Sequence, residues 1–581
     1  MLREPDPAQL MIRKYPTTEA VRQAFATEIA ARHESNPSAL VAYAAQMRTQ
    51  MRPDLAAELL ARVDTDAQAH PSAAFEHALT LEALGRYQEA IMCNAAFLGV
   101  HPNNADAHVL ALRLARRAGT TSLLDFGAVR RAINDVAALE RYVHQVSWPL
   151  LPIAGMLQIL AAAARRAPRK LPRLAGRAAI GLAKRILARA LVPAAFAFLR
   201  LWTGKRHVYI TALNRFTRLA DLVDRLDPIL RRIRARHPEG DTALFVFFFA
   251  GYPNRRLYAM YRRECTIVHV RAGIMGRLAR LAVELCTLAG RFIEGTVDYR
   301  CVNDSFLVHP PAIALTPAET RELAARVEAL GINPARRFIC FGLRDMAYYQ
   351  FYGDVMNIPL AQQGKRSDTN HRCPPIDAYA RFAAFWAERD CQVVRMGLRV
   401  SQSMPSGLPK DVVDYAALGR DDDIDAFLLA KCWFLVAGDT GLFSGAAAFD
   451  RPTVVSDLFL IRNTIYSSNK RTRSIFIPKL IEDTRAHRLL TFREMIHFNQ
   501  AFSFADECEE SGFRIIHNTS EDIIEASLEL VARLDGSWTE GGDDVDLQRA
   551  FHSLYPPSYV GYGSTALVSA HFLRKYSKLL N

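Results

Sequence analysis

Hydrophobic positions in the second half of the chain fall into short continuous runs that alternate with amphipathic stretches. The runs HVYITAL and TALFVFFFA have the apolar density of strands buried on both faces, and LADLVDRLDPILRRIRAR between them has helical periodicity. Strands that alternate with helices form parallel sheets with right-handed crossovers. The pattern therefore predicts a Rossmann-like domain over residues 206–320.

The same alternation continues over residues 321–540. A helix with Thr316 as N-cap and Gly331 at its end precedes a series of strands separated by helices. The predicted strands are RFICFGLRD, CQVVRMG, VVDYA, WFLVAGD and TVVSD. The fold class is thus α/β, with two successive Rossmann-like domains that face a cleft. Residues 541–581 are expected to form a helical tail that packs back on the first of these domains.

Residues 1–140 have the pattern of helices with short breaks. The similar junctions NPSAL, HPSAA and HPNNA place prolines at 37, 71 and 102, which are 34 and 31 residues apart. In LEALGRYQEAIMCNAAFLGVHPNNADA, Gly85 and Tyr87 lie at a helix–helix turn and Ala90 allows close helix approach. This copy resembles a tetratricopeptide repeat, and an unrelated helical hairpin is the alternative. Such a region is a possible site for a protein partner.

Positive charge is concentrated in one segment. The net charge is +13, and residues 141–220 contain fifteen Lys or Arg and no acidic residue. Within residues 141–205, an apolar stretch contains Lys184, Arg185 and Arg189. Cations inside an apolar stretch disfavour a simple transmembrane span and suit amphipathic helices on an anionic membrane surface. One true span and a buried helical segment stay open as alternatives, whereas the apolar content argues against nucleic-acid binding.

Cysteine usage and the N-terminus indicate the compartment. None of the nine cysteines stands in a CxxC spacing, as expected for reduced thiols. The N-terminal MLREPDPAQLMIRKYP lacks the apolar core of a secretory signal. We therefore expect a cytoplasmic protein, peripheral to the inner face of the cytoplasmic membrane, without a metal site. The acidic run Asp421–Asp423 is interpreted as the N-terminal cap of a helix.

The strongest chemical signal is WFLVAGDTGLFSGAAAFDRPTVV. An apolar strand ends at Gly438 and Asp439, and a helix of small residues follows. Ligands of open α/β sheets bind beyond the carboxyl ends of strands, and helix N-termini attract anions. Gly441 would let a phosphate approach the backbone, while Thr440 and Ser444 would donate hydroxyl hydrogen bonds. The segment suits a nucleotide diphosphate, with an ordinary strand–turn–helix as the alternative. It contains neither a dinucleotide fingerprint nor a P-loop.

The segment AGDTGLFSGAAAFDRPTVV resembles the Asp-Ser/Thr-Gly segment in the donor domain of heptosyltransferase-like GT-B enzymes. A longer resemblance, over residues 206–581, is to a bacterial glycosyltransferase family associated with surface polysaccharides. It rests on CFGLRDMAYYQFYGD, SDTNHRCPPIDAYARFAAF, VVRMG, FLLAKC and VSAHFLRKYSKLL. The chain departs from the family's Gly-Thr-Asp-Ser-Gly motif at Ala437, Asp439 and Thr440.

The resemblance implies a metal-independent GT-B transferase without a cofactor. Such an enzyme would move a sugar from a nucleotide-sugar donor to a glycan or lipid-linked glycan acceptor. Two other functions stay open, because twin Rossmann-like domains occur in enzymes of several classes. One is a non-catalytic, repeat-bearing scaffold with a degenerate GT-B module. The other is a different sugar-nucleotide enzyme, such as an epimerase.

Further site candidates follow from position along the predicted strands. Arg344 and Asp345 end one strand and Arg395 lies near the end of the next, where arginine can bind phosphate. A structural ion pair between Arg344 and Asp345 is the alternative. An inverting transfer also needs a general base near the acceptor hydroxyl. The candidates are Asp221, Asp224 and His269.

Overall fold

The computed structural model shows a mixed α/β protein with parallel sheets. It describes residues 37–49, 53–101, 171–213, 219–249, 254–271, 273–292, 309–348, 373–438, 440–459, 461, 474–498, 512–555 and 566–580, with single positions between 107 and 164. The chain forms two compact units. One comprises Met1–Leu199 with Leu281–Phe292, and the other comprises Arg200–Arg280 with Ile293–Asn581.

The first unit is helical in its described residues. Its helices are α1 (Pro37–Thr49), α2 (Pro53–Leu60), α3 (Pro71–Ala83), α4 (Tyr87–Val100) and α5 (Leu171–Thr203), which extends into the second unit. Helices α1 and α2 pack together, as do α3 and α4. Gly85 has a φ of 75° at the turn between α3 and α4, and the buried Ala90 lies in their core. These features agree with paired helices, and the tetratricopeptide assignment stays a prediction.

The second unit begins with a three-stranded parallel sheet. Its strands are β1 (His207–Leu213), β2 (Thr242–Phe248) and β3 (Thr266–His269), in the order β1-β2-β3. The helices that follow them are α6 (Leu219–Arg236), α7 (Arg255–Glu264) and α8 (Ile274–Leu288), whose residues from Leu281 onwards belong to the first unit. Each helix follows a strand, as the alternating apolar pattern predicted.

A seven-stranded parallel sheet forms the centre of this unit. The next strands are β4 (Phe338–Gly342), β5 (Gln392–Met396), β6 (Val412–Val413), β7 (Leu435–Ala437), β8 (Thr453–Leu458), β9 (Ile475–Pro478), β10 (Leu480–Asp483), β11 (Arg488–Leu489), β12 (Phe513–Ile516) and β13 (Leu567–Val568). The large sheet has the order β13-β9-β8-β7-β4-β5-β6, and β11-β10-β12 form a small antiparallel sheet. The chain order therefore reverses between β4 and β7.

The helices of the large sheet cover both of its faces. They are α9 (Pro317–Glu328), α10 (Ile376–Ala387), α11 (Asp422–Lys431), α12 (Leu442–Ala448), α13 (Phe492–Phe498), α14 (Ser520–Asp535), α15 (Asp544–Ser553) and α16 (Ala570–Lys575). Side chains of a strand alternate between faces, so Cys340 joins a core shared with the first sheet. Ile339 and Phe341 join the core on the opposite face. The two sheets are thus packed into one unit.

The C-terminal tail differs from the expectation for residues 541–581. Its strand β13 extends the edge of the large sheet beside β9, and Phe572 is buried in the core of that sheet. Lys575 forms an ion pair with Asp522 of α14, with Nζ and Oδ1 2.7 Å apart. In its described residues, the tail therefore packs on the second sheet and not on the first. The apolar face of α16 packs against α14 and α15.

Candidate functional site

The reversal of strand order between β4 and β7 brings the segment that contains Arg344 close to the segment that contains Gly438. Gly438 donates its backbone N–H to the carbonyl of Gly342 at 3.2 Å, so the ends of β7 and β4 are adjacent. Arg344 lies two residues beyond Gly342 and is half-buried. Crevices at such reversals are where open parallel sheets bind ligands. We call the residues around this point, Arg344 and Gly438–Ser444, the carboxyl-end site.

The turn from β7 into α12 is closed by its own hydrogen bonds. Thr440 N–H donates to the Gly438 carbonyl at 2.7 Å, and the Thr440 hydroxyl accepts from the Leu442 N–H at 3.3 Å. The hydroxyl that was expected to face a phosphate therefore also caps the helix. Asp439 lies outside the described residues.

The small residues of α12 serve close helix packing. Gly441 has an ordinary φ of −70°, and a Cβ there would lie 3.3 Å from the backbone N of Ala220. A Cβ on Gly445 would meet Leu219 at 3.1 Å and Leu429 at 2.8 Å. The backbone that approaches Gly441 is therefore that of α6. Sequence reasoning assigned this glycine to a phosphate and missed the helix contact.

Ser444 is the one hydroxyl of α12 and is fully buried. Its Oγ has no hydrogen-bond partner among the described residues. A buried hydroxyl without a partner costs free energy, so such groups are exceptional in folded proteins. Ser444 therefore has unused hydrogen-bonding capacity at a position that was predicted to bind phosphate. Its hydroxyl is buried, however, and is not exposed at the turn.

Asp345 has a structural role in this fold. Its carboxylate accepts hydrogen bonds from the Ser401 hydroxyl at 2.6 Å, the Ser401 N–H at 2.9 Å and the Ala347 N–H at 2.8 Å. Burial works to raise the pKa of Asp345, but these hydrogen bonds outweigh it and lower that pKa below its usual value. The carboxylate therefore fixes the loop after β5 beside the end of β4 and is saturated by protein donors.

Arg395 is also committed to the protein. It is buried, and its guanidinium donates to Asp414 at 3.2 Å and to the Gln402 carbonyl at 2.7 Å. Arg395 was predicted to bind phosphate, but these contacts commit its guanidinium to a structural pair with Asp414. Of the predicted arginines, Arg344 is the one at the reversal point of the sheet.

The three base candidates have different environments. His269 is exposed at the carboxyl end of β3, where its Nε2 is hydrogen-bonded to the hydroxyl of Tyr258 from α7. The ring of Phe248 lies edge-on with centroids 5.3 Å apart. Asp224 is buried within α6. Asp221 lies in the first turn of α6, and its side chain is outside the described residues. Only His269 is shown both exposed and oriented at a strand end.

Helices that start at the carboxyl ends of both sheets meet face to face. The first turn of α6, which follows β1, touches Gly441 beyond β7. Asn254, which caps α7 beyond β2, donates to the carbonyl of Asp422 at the start of α11 at 3.2 Å. The carboxyl ends of the first sheet therefore lie on the same side of this unit as those of the second.

Arg231 joins the two sheets at the other end of α12. Its side chain is fully buried and donates to the Ala447 and Ala448 carbonyls at 3.0 and 3.1 Å, which caps the C-terminus of the helix. It also pairs with Asp450 at 2.9 Å and with Asp227 one turn earlier on α6. A cation at a helix C-terminus complements the helix dipole. Sequence reasoning missed this residue, because one arginine among many on an amphipathic helix carries no special pattern.

The acidic run Asp421–Asp423 caps α11, as the sequence predicted. Asp421 accepts from the backbone N–H groups of Asp423 and Ile424 at 2.8 and 3.1 Å. Its neighbours also bind arginines from the first sheet, including Arg256, which donates to Asp423 at 2.8 Å. Arg326 pairs with Asp421 and Asp423 at 3.0 Å each. The run is thus saturated by arginines and backbone donors, which explains its charge without a metal ion.

A buried polar cluster at the end of β8 was also missed. Asp457, which has a φ of 51°, accepts from the hydroxyl of Tyr379 at 2.7 Å and from the N–H of Asn518 at 3.1 Å. Its own N–H donates to the Asn518 side chain at 2.6 Å. His517 approaches the same carboxylate at 3.0 Å. The cluster holds the end of β8 to the start of α14.

Among the described residues, one group has the spacing of metal ligands. His207, His237 and Glu239 offer ligand atoms within 4.8 Å of one another. The two imidazole rings are stacked with centroids 3.9 Å apart, and Tyr209 is hydrogen-bonded to His237 Nε2 at 2.7 Å. The group begins β1 and follows α6, so it lies at the amino ends of the strands. It is therefore at the opposite edge of the sheet from the carboxyl-end site.

No protein-family model and no curated protein sequence matches the chain. Among solved structures, it is similar to a glycosyltransferase family 9 protein from Veillonella parvula, with 11% identity, a TM-score of 0.31, and coverage of 47% of this chain and 86% of that one. For the E. coli ADP-heptose lps heptosyltransferase II, the identity is 15%, the TM-score 0.29, and the coverage 47% and 90%.

A Thermobaculum terrenum O-GlcNAc transferase has 12% identity and a TM-score of 0.19, with coverage of 94% of this chain and 98% of that one. All three neighbours are glycosyltransferases. At these TM-scores the similarities assign neither a fold family nor an activity. The function is therefore inferred from the residues of this chain.

Proposed function

We propose that this chain is a GT-B glycosyltransferase that moves a sugar from a nucleotide-sugar donor to a glycan or lipid-linked glycan. The observation that carries the proposal is that two parallel sheets have their carboxyl ends on the same side of one unit. The contact of Gly441 with α6 and the hydrogen bond from Asn254 to Asp422 mark this arrangement. Two neighbouring sets of strand ends offer separate positions for a donor and an acceptor.

The donor diphosphate is assigned to the carboxyl-end site. Arg344 supplies a planar cation that binds phosphate oxygens. The attraction between them strengthens as negative charge grows on the departing nucleotide. Gly438 lies at the end of β7, where an added Cβ would lie 3.9 Å from the Ser456 carbonyl. Gly438 is buried, but among the described residues it is packed less tightly than Gly441. No divalent metal is part of this proposal.

The acceptor is assigned to the first sheet, with His269 as general base. In the tautomer that donates Nε2–H to the Tyr258 oxygen, the lone pair of Nδ1 accepts the proton of the acceptor hydroxyl. The acceptor oxygen bonds to the anomeric carbon of the donor sugar. The bond from that carbon to the diphosphate breaks, and the nucleoside diphosphate leaves with the electron pair. Tyr258 would act as a positioning residue.

The biological setting follows from the sequence resemblance. We propose, on the support of that resemblance, that the reaction belongs to bacterial surface polysaccharide synthesis and takes place at the cytoplasmic face of the membrane. The paired helices α1–α4 are proposed as the site for a protein partner, because helical hairpins present extended binding surfaces.

A thermal-shift screen with UDP, GDP, ADP and CMP tests the donor assignment. A ligand at about a hundredfold over its Kd stabilises the folded state by about 2.7 kcal/mol. We expect one nucleotide to raise the Tm, and Arg344→Gln to weaken its binding at least about tenfold, or about 1.4 kcal/mol. The control is Arg493→Gln, at an exposed arginine of α13. If no nucleotide binds, or if both variants bind alike, the donor assignment is wrong.

A further inference from the structure

Helix α5 is attached to the protein along one narrow face. Its buried side chains are Ala178, Ala188, Val192 and Phe196, whose spacing places them on one side of the helix. Lys184 pairs with Glu284 of α8 at 2.7 Å. Arg291 lies over the ring of Phe196 at 5.9 Å. Only one side of this 33-residue helix is therefore covered.

The uncovered side of α5 is apolar. At about 100° per residue, the exposed side chains fall mainly opposite the buried ones. They are Ile180, Ile186, Leu187, Leu191, Phe198, Leu201 and Trp202, with exposed fractions from 39% to 85%. These seven are nearly half of the fifteen large apolar side chains that are exposed in the described structure. Exposed apolar surface of this extent indicates a binding surface.

Cations border this apolar side. Arg177, Lys184, Arg185, Arg189 and Arg200 lie on α5, and the helix contains no acidic residue. By the same helical geometry, Arg177 and Lys184 fall at one edge of the exposed apolar side and Arg189 and Arg200 at the other, whereas Arg185 falls among the buried positions. An apolar stripe bordered by Lys and Arg matches a lipid surface, because acyl chains take the apolar side chains and anionic headgroups take the cations.

The length of α5 also permits a different orientation. Residues Ala175–Thr203 are long and apolar enough to cross a membrane by length and composition alone. However, a spanning helix would carry Arg185 and Arg189 near its middle, and such cations are costly at the bilayer centre. The contacts of Lys184 and Phe196 also hold one side of the helix against protein.

We propose that α5 lies in the plane of an anionic lipid surface, with the side that carries Leu191 and Phe198 inserted. The occupant of the apolar face is thus the bilayer interface. This inference is independent of the proposed sugar transfer, because it uses no residue of the carboxyl-end site or of the acceptor side. It also identifies α5, within the basic segment 141–205, as the element that makes the contact.

Vesicle co-flotation of the full-length chain tests the proposal. The probes are vesicles of phosphatidylcholine alone and of phosphatidylcholine with about one-third phosphatidylglycerol. We expect binding to the anionic vesicles, and weaker binding as salt rises from about 0.05 M to about 0.5 M. We expect Arg189→Gln with Arg200→Gln to weaken it by about twentyfold at low salt, since each surface cation contributes about fivefold.

The apolar side is tested by Leu191→Gln with Phe198→Gln. This pair should weaken binding at least about tenfold at both salt concentrations, because apolar insertion is not screened. The matched control is Met92→Gln with Val545→Gln, which replaces two apolar side chains exposed elsewhere by 70% and 55%. The control should bind like wild type, and unchanged Tm values would show that all variants fold.

Two results would overturn the proposal. One is equal vesicle binding by wild type and both α5 pairs. The other is retention in native membranes through high salt and alkaline carbonate, which would identify α5 as a spanning helix.

Discussion

Gly441 shows how one residue constrains both packing and chemistry. A Cβ there would lie 3.3 Å from Ala220 N and 3.5 Å from Ala220 Cβ, and the branched methyl groups of valine extend further. Overpacking of this kind costs about 1–3 kcal/mol. We expect Gly441→Val to lower the free energy of unfolding by that amount in urea denaturation, and to weaken nucleotide binding as α12 shifts.

Gly542 provides the matched control for this change. A Cβ on Gly542 would have no neighbour within 4 Å, so Gly542→Val should leave stability and nucleotide affinity near wild type. Thr440→Ala, which removes a hydroxyl but no backbone donor, should weaken nucleotide binding less than Gly441→Val. A Gly441→Val protein with unchanged stability would show that α6 does not pack on this glycine.

His269 is the residue on which the transfer chemistry depends. We expect His269→Gln to lower kcat by about 10²–10⁴-fold, the usual contribution of a general base, with nucleotide affinity unchanged. Tyr258→Phe removes only the orienting hydroxyl, so it should lower kcat less. The control is His487→Asn, because His487 is exposed with a φ of 50°, which asparagine tolerates. Full activity of His269→Gln would exclude it as the base.

For single residues, the sequence predicts the place on a strand better than it predicts which groups the side chain contacts. The apolar run before Gly438 was enough to place the glycine at a strand end, since runs of that kind form central parallel strands. The same reasoning placed Arg395 at a strand end but could not supply its partner. Asp414 lies nineteen residues further along, and only the fold of the intervening loop brings the two together.

Among the elements, α12 depends most on a single side chain from elsewhere. Removing Arg231 would leave the Asp227 carboxylate buried beside Tyr261 and two helix carbonyls without their donor. We expect Arg231→Met to cost about 3–5 kcal/mol, as for other broken buried ion pairs. The double variant Asp227→Leu with Arg231→Met should recover part of that loss. Urea denaturation of wild type, Asp227→Leu, Arg231→Met and the double variant measures the coupling, and additive losses would contradict it.

The contact between α7 and α9 should make the stability of the fold depend on pH. Partial burial works to raise the pKa of Glu319, but hydrogen bonds from Arg263 and Thr316 outweigh it and lower that pKa to about 2. Since the folded-state pKa is depressed, the stabilisation is complete above about pH 4.5 and is lost as pH falls towards about 2.

This pH dependence is testable by substitution on one helix. We expect Glu319→Gln to be less stable than wild type near neutral pH, and the difference to narrow as the pH falls through about 4 to about 2. Glu322→Gln, at an exposed position of the same helix, should behave like wild type throughout. Denaturant unfolding at several pH values provides the measurement, and a constant difference would exclude Glu319 as the titrating group.

Element boundaries were predictable where local chemistry defines them. Thr316 forms a capping box with Glu319 at the start of α9, and Gly331 has a φ of 82° just beyond its end. The tail was not predictable in the same way. Strand β13 has only two residues, and its pairing with β9 depends on an open sheet edge that no local pattern reveals.

For the whole molecule, we expect the helical N-terminus and the sheets to have separate functions. None of the residues proposed to bind the nucleotide precedes position 344, and residues 1–140 belong to the first unit. We expect deletion of residues 1–140 to change nucleotide affinity by less than about threefold, because that segment contributes no proposed nucleotide-binding residue. Calorimetry on the folded, monodisperse variant measures this. Loss of nucleotide binding would assign the first unit a part in the donor site.

The order of the large sheet was beyond sequence reasoning, although five of its seven strands, β4 to β8, were predicted. Alternation of strands and helices predicts parallel pairing, yet it leaves the order of the strands open. The order β13-β9-β8-β7-β4-β5-β6 decides that β4 and β7 are neighbours. That adjacency places Arg344 beside the turn at Gly438, and no spacing along the chain could have given it.

The buried arginine of α6 also restricts how this sequence can diverge. Arg231 is held by Asp227 and Asp450, which are four residues before it and 219 residues after it. Replacing Arg231 alone leaves two carboxylates without their cation, whereas replacing either aspartate alone leaves Arg231 paired with the other, so loss of Arg231 should be selected against most strongly. In related chains, position 231 should therefore become uncharged only where positions 227 and 450 have also become uncharged. An alignment of diverse relatives would show this as covariation across the two sheets.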